Sequence, residues 1–274
     1  MTDFEFEHGT TEYSSINAYW LGMASKLAYL KKQKIKKTVE NWGLDNFEFI
    51  EGSRTNTQAF VAGNRQLIIV AFRGTEGKLK DWLTDTKIKQ VDEVHRGFKK
   101  AIDEVLPEIE QTINRFIGKR LTVAEAATSP ENPEIPSVWY TGHSLGSALA
   151  TLAVAAMRQQ GLPVDGLYTY GQPRTGSRKW SRIFNQDFQT FAFRHVNNND
   201  VVTRVPPRSF NYRHIGSLRY YDADLTRYED VSWWNRFLDR VKGRLEDFME
   251  LHSDGIKDHS MDKYLACLKK NYSE

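Results

Sequence analysis

Between Ser137 and Met157 a short apolar run meets a small-residue helical pattern across two glycines, and few folds accommodate that junction. The run Ser137-Val138-Trp139-Tyr140-Thr141 reads as a buried strand. The helix begins at Leu145 and carries Ala148, Leu149, Leu152, Ala153, Ala156 and Met157. Between them stands Gly142-His143-Ser144-Leu145-Gly146, a G-x-S-x-G pentapeptide. Glycines two residues either side of a serine let strand and helix leave it at a sharp angle. Such a turn raises the hydroxyl at the carboxyl end of a strand. The helix start aims free N–H groups and a positive dipole end at any anion formed there. A tight strand-to-helix turn with no chemistry would show the same pentapeptide by chance.

The neighbouring segments extend the strand-and-helix theme. Residues 14–30 carry Ile16, Tyr19, Trp20, Met23, Leu27 and Leu30 at helical spacing. Lysines 31, 32, 34, 36 and 37 then read as a solvated helix end and loop, or as a surface that leans on anionic lipid. Strands are expected at 57–63 and 66–72 around Gly63-Asn64, the second nearly continuously apolar, as in a doubly covered sheet. A helix is expected over 95–117, a proline-rich exposed loop over 127–137, and strands over 166–170, 189–196 and 210–221. Helices fall around 178–184 and over 261–270. Strands alternating with helices imply an α/β fold, a mostly parallel central sheet covered on both faces.

The 274 residues suit one such domain, and the formal net charge of +3 is too small to imply a nucleic-acid partner. Cys267 is the one cysteine, so no intramolecular disulfide forms; it reads as a core filler. Residues 1–10 have acids at 3, 5 and 7 and lack a secretory signal pattern. No uninterrupted apolar stretch exceeds the six residues of Leu67–Phe72. These features suggest a soluble protein, cytoplasmic or exported without a signal, or a mature form whose signal was trimmed. No pair of histidines has the H-E-x-x-H spacing of zinc catalysis, so neither metal nor cofactor is expected.

A serine hydroxyl needs a base in contact, and the base needs a partner that fixes its tautomer. Asp200 follows the strand ending near Val196 in a polar loop, Asn197-Asn198-Asn199-Asp200. It fits the acid, though an Asx-turn aspartate would look the same. His259 lies in a loop before the last helix, and His252 competes with it. His195 and His214 fall inside strand patterns and read as structural.

Taken in order, these segments resemble the class 3 lipases over about residues 14–270. The markers are Phe72-Arg73-Gly74-Thr75, Asp81-Trp82-Leu83-Thr84-Asp85, Val94-His95-Arg96-Gly97-Phe98 and the serine pentapeptide. Thr169-Tyr170-Gly171-Gln172-Pro173-Arg174, Asn199-Asp200-Val201-Val202, Pro206-Pro207, Tyr212-Arg213-His214 and Asp258-His259-Ser260 complete them. The resemblance implies a single α/β-hydrolase domain over 1–274, with Ser144 as nucleophile, Asp200 as acid and His259 rather than His252 as base. It implies oxyanion donors at the backbone N–H of Thr75 and Leu145, and packing roles for His143 and His95. It also implies a lid at about 76–92, in which Leu79, Trp82 and Leu83 share one face of a short helix. That face would cover the serine and contact substrate, or pack permanently on the core; its lysines and aspartates suit an esterase more than a strongly interface-activated lipase. Ser147 stands where the family often has glycine, and the lone cysteine suggests the bacterial-type members.

The implied activity is hydrolysis of acylglycerol-type esters through an acyl-enzyme, without cofactor or obligate protein partner and with transient contact to a lipid–water interface. The alternatives are a phospholipase or galactolipase, a short-chain carboxylesterase, or a non-catalytic lipid-binding member. Residues 222–258 form an insertion whose stripe of Trp233, Trp234, Phe237, Leu238, Val241, Leu245, Phe248 and Met249 predicts an amphipathic helix over 232–250. The stripe would pack on the domain, line the acyl groove or rest on a membrane.

Overall fold

The computed structural model describes residues 3–74, 90–118, 135–229 and 257–272. Residues 76–89 of the lid expected at about 76–92 and the predicted helix over 232–250 lie outside the described residues, as do Thr75, Leu79, Trp82, Leu83 and His252.

Helices α1 (Ser15–Leu27) and α2 (Lys32–Asn41) precede strands β1 (Asn46–Glu51), β2 (Gln58–Gly63) and β3 (Leu67–Phe72). Two short strands, β4 (Gln90–Val91) and β5 (Val94–His95), lead into α3 (Arg96–Ile117). Then come β6 (Ser137–His143), α4 (Leu145–Gln159), β7 (Gly166–Tyr170), β8 (Gly176–Ser177), α5 (Arg178–Phe188) and β9 (Ala192–Asn197). The chain continues through β10 (Tyr212–Arg213), β11 (Ser217–Tyr221), β12 (Arg227–Tyr228) and α6 (Met261–Lys270).

The main sheet runs β1-β2-β3-β6-β7-β9-β11-β12 among the described residues. Its centre, β3 to β11, is parallel; β1, β2 and β12 are antiparallel at the margins. Period-two alternation divides the core. Ile68, Val70 and Phe72 of β3 join the apolar faces of α3, α4 and α5. Leu67, Ile69 and Ala71 join α1, α2 and α6 on the other side. That double cover is why β3 is apolar along its whole length. Each isoleucine so buried contributes roughly 1.5–3 kcal/mol. This is an α/β-hydrolase architecture, and it presents the carboxyl ends of the parallel strands along one edge.

Three segments differ from the sequence reading, and a fourth that it left without a structural role is docked. The lysine run is helical, not loop: Ile35 and Val39, four residues apart, are buried, and the lysines decorate the outer face of α2. The segment 210–221 is two strands, because the chain turns at Gly216 with φ of +70°. Strand β1 adds an edge the reading left unassigned. The acidic N-terminal segment is docked through its alternate residues: Phe4 stacks on Trp42 at 5.3 Å and Phe6 meets Trp139 edge-on at 5.2 Å.

Candidate active site

Ser144 occupies φ 59°, ψ −128°, a conformation L-residues rarely adopt. Its N–H donates to the Tyr170 carbonyl on the adjacent strand (3.0 Å), which fixes the turn against β7. Glycine is required on both sides for steric reasons. A Cβ at Gly142 would collide with the backbone of Gly146, and one at Gly146 with the Phe72 carbonyl oxygen. The α4 helix therefore starts directly on the end of β3. Leu145 is its first residue, and a first-turn N–H has no intrahelical acceptor. Gly74 closes the third side: a Cβ there would meet the Tyr29 hydroxyl and the His143 carbonyl and lie 3.2 Å from Ser144 Cβ. The chain thus passes the serine immediately before Thr75.

Asp200 and His259 meet at the same edge. His259 Nδ1 donates to Asp200 Oδ2 over 2.9 Å, and both side chains are buried. The other carboxylate oxygen, Oδ1, accepts from Val202 N–H (2.9 Å). Burial alone would push the Asp200 carboxyl up. The charge of the His259 imidazole and hydrogen bonds from His259 and Tyr264 outweigh it and hold the carboxyl below its ordinary value. The Asp200 carboxylate is therefore anionic at neutral pH. His259 Nε2, the opposite ring atom, is buried with no hydrogen-bond partner among the described residues.

Three residues hold this pair that the sequence reading does not assign. Tyr264 donates its hydroxyl to Asp200 Oδ2 at 2.6 Å. Burial and the neighbouring carboxylate raise the Tyr264 phenol well above its usual range, so it remains a donor. Asp258 links the loops: its carbonyl accepts from Asn197 Nδ2 (2.8 Å), and its Oδ2 accepts from Asn198 Nδ2 (3.0 Å) and Asn199 N–H (3.3 Å). Gly171, at φ +60°, leaves the room: a Cβ there would stand 2.7 Å from His259 Nδ1 and 2.8 Å from Asp200 Oδ2. Only Tyr264 had a local signal, its place on the buried face of α6. Its carboxylate partner is 64 residues away.

His143 does more than pack. Its Nε2–H donates to the His259 carbonyl (2.7 Å), which obliges Nδ1 to accept from the Tyr29 hydroxyl (2.7 Å). Its ring lies 4.4 Å from that of His259. Burial, then the neighbouring His259, lower its pKa to about 3, so it is a neutral tie between the serine turn and the histidine loop. His95 caps α3 by accepting from Gly97 N–H at 3.2 Å. His195 is enclosed between Tyr170 and Tyr221, its pKa lowered to about 3 chiefly by burial. Cys267 is buried. Among the described residues no group of His, Cys, Asp or Glu is arranged to hold a metal ion, and no helix is long and apolar enough to cross a membrane.

A serine on a strained strand-to-helix turn, beside a carboxylate–imidazole pair at the edge of a parallel sheet, defines the α/β-hydrolase class. The chain belongs to the class 3 lipase family, whose model matches residues 69–210. It is 35% identical over 184 residues to secreted mono- and diacylglycerol lipase 1 of Fusarium solani, covering 64% of this chain and 50% of that one. It is 29% identical over 253 residues to a triacylglycerol lipase of Arabidopsis thaliana, covering 73% and 48%. The mono- and diacylglycerol lipase of Aspergillus oryzae has a similar structure: TM-score 0.60, 25% identity, 75% of this chain and 78% of that one. The chain spans about half the length of the curated relatives it matches.

Proposed function

We propose that this chain is a carboxylic ester hydrolase acting on acylglycerol-type lipids through an acyl-enzyme on Ser144. The observation that carries the reading is the buried Asp200–His259 pair, 2.9 Å apart, with an imidazole Nε2 that has no partner among the described residues. In this scheme His259 Nε2 takes the Ser144 proton as the hydroxyl attacks the ester carbonyl. Asp200 orients the ring and stabilises the imidazolium. His259 then delivers the proton to the leaving alcohol, and water releases the acyl group with His259 again as base.

The oxyanion falls to the N–H of Leu145 and of Thr75. Supporting the first is Leu145's position at the head of α4; supporting the second is the approach of Gly74 to Ser144. One such donor is worth on the order of 3 kcal/mol in the transition state. No cofactor or metal enters this chemistry. The names of the fungal and plant relatives support an acylglycerol substrate. A lipid ester would be met by transient contact at a lipid–water interface. With its lone cysteine buried, the fold needs no disulfide and suits a reducing compartment.

The test is hydrolysis of p-nitrophenyl esters from acetate to palmitate, wild type beside Ser144→Ala. The proposal expects rates that rise with chain length and vanish in the variant. A maximum at acetate would make it a short-chain esterase. Equal rates in both proteins would remove Ser144 from the chemistry.

A further inference from the structure

Along the outer side of α5 lies a cavity of about 420 Å³ that the ester chemistry does not use. Its cationic lining is Arg178 and Arg182 from the helix and Arg213 from the end of β10, with the neutral His214 beside them. Arg178, Arg182, Asn185 and Gln189 recur at helical spacing on one face of α5. The helix's one acid, Asp187, is nine residues beyond Arg178 and points to the opposite side. The cavity has a fixed frame. Ser181 Oγ donates to the Arg213 carbonyl (3.3 Å), Gly216 N–H to Asn185 Oδ1 (2.8 Å) and Ser217 Oγ to the Gln189 carbonyl (2.9 Å). Helix and loop are thereby riveted at a set separation.

The charge around this frame is strongly positive. Residues 174–214 contain eight Lys and Arg against two Asp, a local +6 in a chain of net +3. One of those acids, Asp200, is engaged by His259. None of the eight makes a salt bridge with a carboxylate among the described residues, where pairs such as Lys99–Asp103 and Arg115–Glu48 are found elsewhere. His214 Nδ1 is shut from solvent and has no partner among the described residues. Behind it Arg194 is buried, with Nε and one terminal nitrogen unpartnered among the described residues. Burial first, then the fields of Arg194, Arg174 and Arg208, hold His214 well below its usual range. The buried nitrogens of Arg194 and His214 gain from an anion placed near them, while Arg178 and Arg182 stand exposed on the helix face and Arg213 is half-buried, free to engage it.

We infer that this cavity is a binding site for a phosphate group, held by Arg178, Arg182 and Arg213. Guanidinium forks match phosphate oxygens two at a time, and the arginines converge from two elements locked together. The phosphate comes either from the headgroup of an anionic phospholipid or from free phosphate in solution. The site is separate from Ser144 and does not depend on the ester chemistry.

The experiment measures the thermal midpoint against inorganic phosphate, with chloride at matched ionic strength, and co-sedimentation with phosphatidylcholine vesicles with and without phosphatidate. The proteins are wild type, Arg178→Gln/Arg182→Gln, Arg182→Glu, and Lys32→Gln/Lys36→Gln in the other basic stretch on α2. Circular dichroism checks that each is folded. The expected result is a saturable shift by phosphate beyond that of chloride, or phosphatidate-dependent sedimentation. Either weakens at least tenfold in both arginine variants and persists in the lysine variant. Sedimentation that phosphate competes away identifies the headgroup as the source; a midpoint shift without sedimentation identifies free phosphate. Phosphate acting no differently from chloride with no phosphatidate dependence, or binding unchanged in folded arginine variants, overturns the inference.

Discussion

Asp200 and Arg194 are six residues apart, and both are buried, at 1% and 4% exposure. Their surroundings differ in kind. The carboxylate collects a main-chain N–H, an imidazole N–H and a phenol, so its charge is matched. The guanidinium has two nitrogens without a partner among the described residues, and another arginine, Arg208, acts on it. The first arrangement suits a group that must stay ionised while the ring beside it gains and loses a proton. The second suits a charge whose partner comes from outside. Both are buried polar clusters, but one is preorganised by the fold and the other is left open by it.

Substitutions around the carboxylate probe the first half of that contrast. Asp200→Asn should lower kcat by about 10⁴-fold with the fold retained, since the wrong imidazole tautomer is then held. A loss under tenfold would mean that the ion pair is structural only. Gly171→Ala should cost about 10²-fold, because the new Cβ displaces the imidazole, and about 1 kcal/mol of stability for an L-residue at φ +60°. Unchanged kinetics there would show that His259 need not sit where it does.

Tyr264→Phe should cost about 10- to 100-fold in kcat/KM, in line with about 1.5–3 kcal/mol for a hydrogen bond to a charged group. It should also lower stability at neutral pH. Asp200's folded pKa lies below its free value of 3.8, so its stabilisation is present above pH 3.8 and is lost as pH falls through the folded value. The wild-type advantage over Tyr264→Phe should therefore shrink below about pH 4; a constant gap would remove Asp200 from the explanation.

An effect on stability alone concerns the neutral ties. His143 and His195 have folded pKa values near 3 against 6.5, so the stability they confer is present above pH 6.5 and declines as pH falls toward 3. Each should add about 1.4 kcal/mol per pH unit to that slope. Replacing His143 by Asn should flatten the profile by one histidine's share; an unaltered profile would mean that His143 is already protonated in the fold.

How far the sequence announces this arrangement depends on the range of the forces involved. Ser144 is legible because its demands are local: glycines at 142 and 146 are dictated by collisions within one turn and the adjoining strand end. The boundaries of α6 are equally local, set by the Ser260 cap accepting from Asp262 N–H. Asp200 is half legible, since a strand end announces an aspartate but not its partner. Tyr264 is illegible as a positioning group, because its meaning arises only when α6 docks on β9. The same holds for Asp258, which ties two loops about sixty residues apart. Helix α2 is obscured by lysines that outnumber its two buried anchors, Ile35 and Val39. The cavity on α5 is hidden in another way: Arg178 and Arg182 look like any solvated helix face until β10 and the turn after it arrive beside them.

The central claim is that Ser144 is a nucleophile activated by the Asp200–His259 pair. It is tested most directly by treating the folded protein with a fluorophosphonate and mapping the adduct by mass spectrometry, with Asp200→Asn and Ser144→Ala alongside. The account predicts one adduct, on Ser144, formed far more slowly in Asp200→Asn and absent in Ser144→Ala. Wild-type protein that stays unlabelled, or labels at another residue, would contradict it.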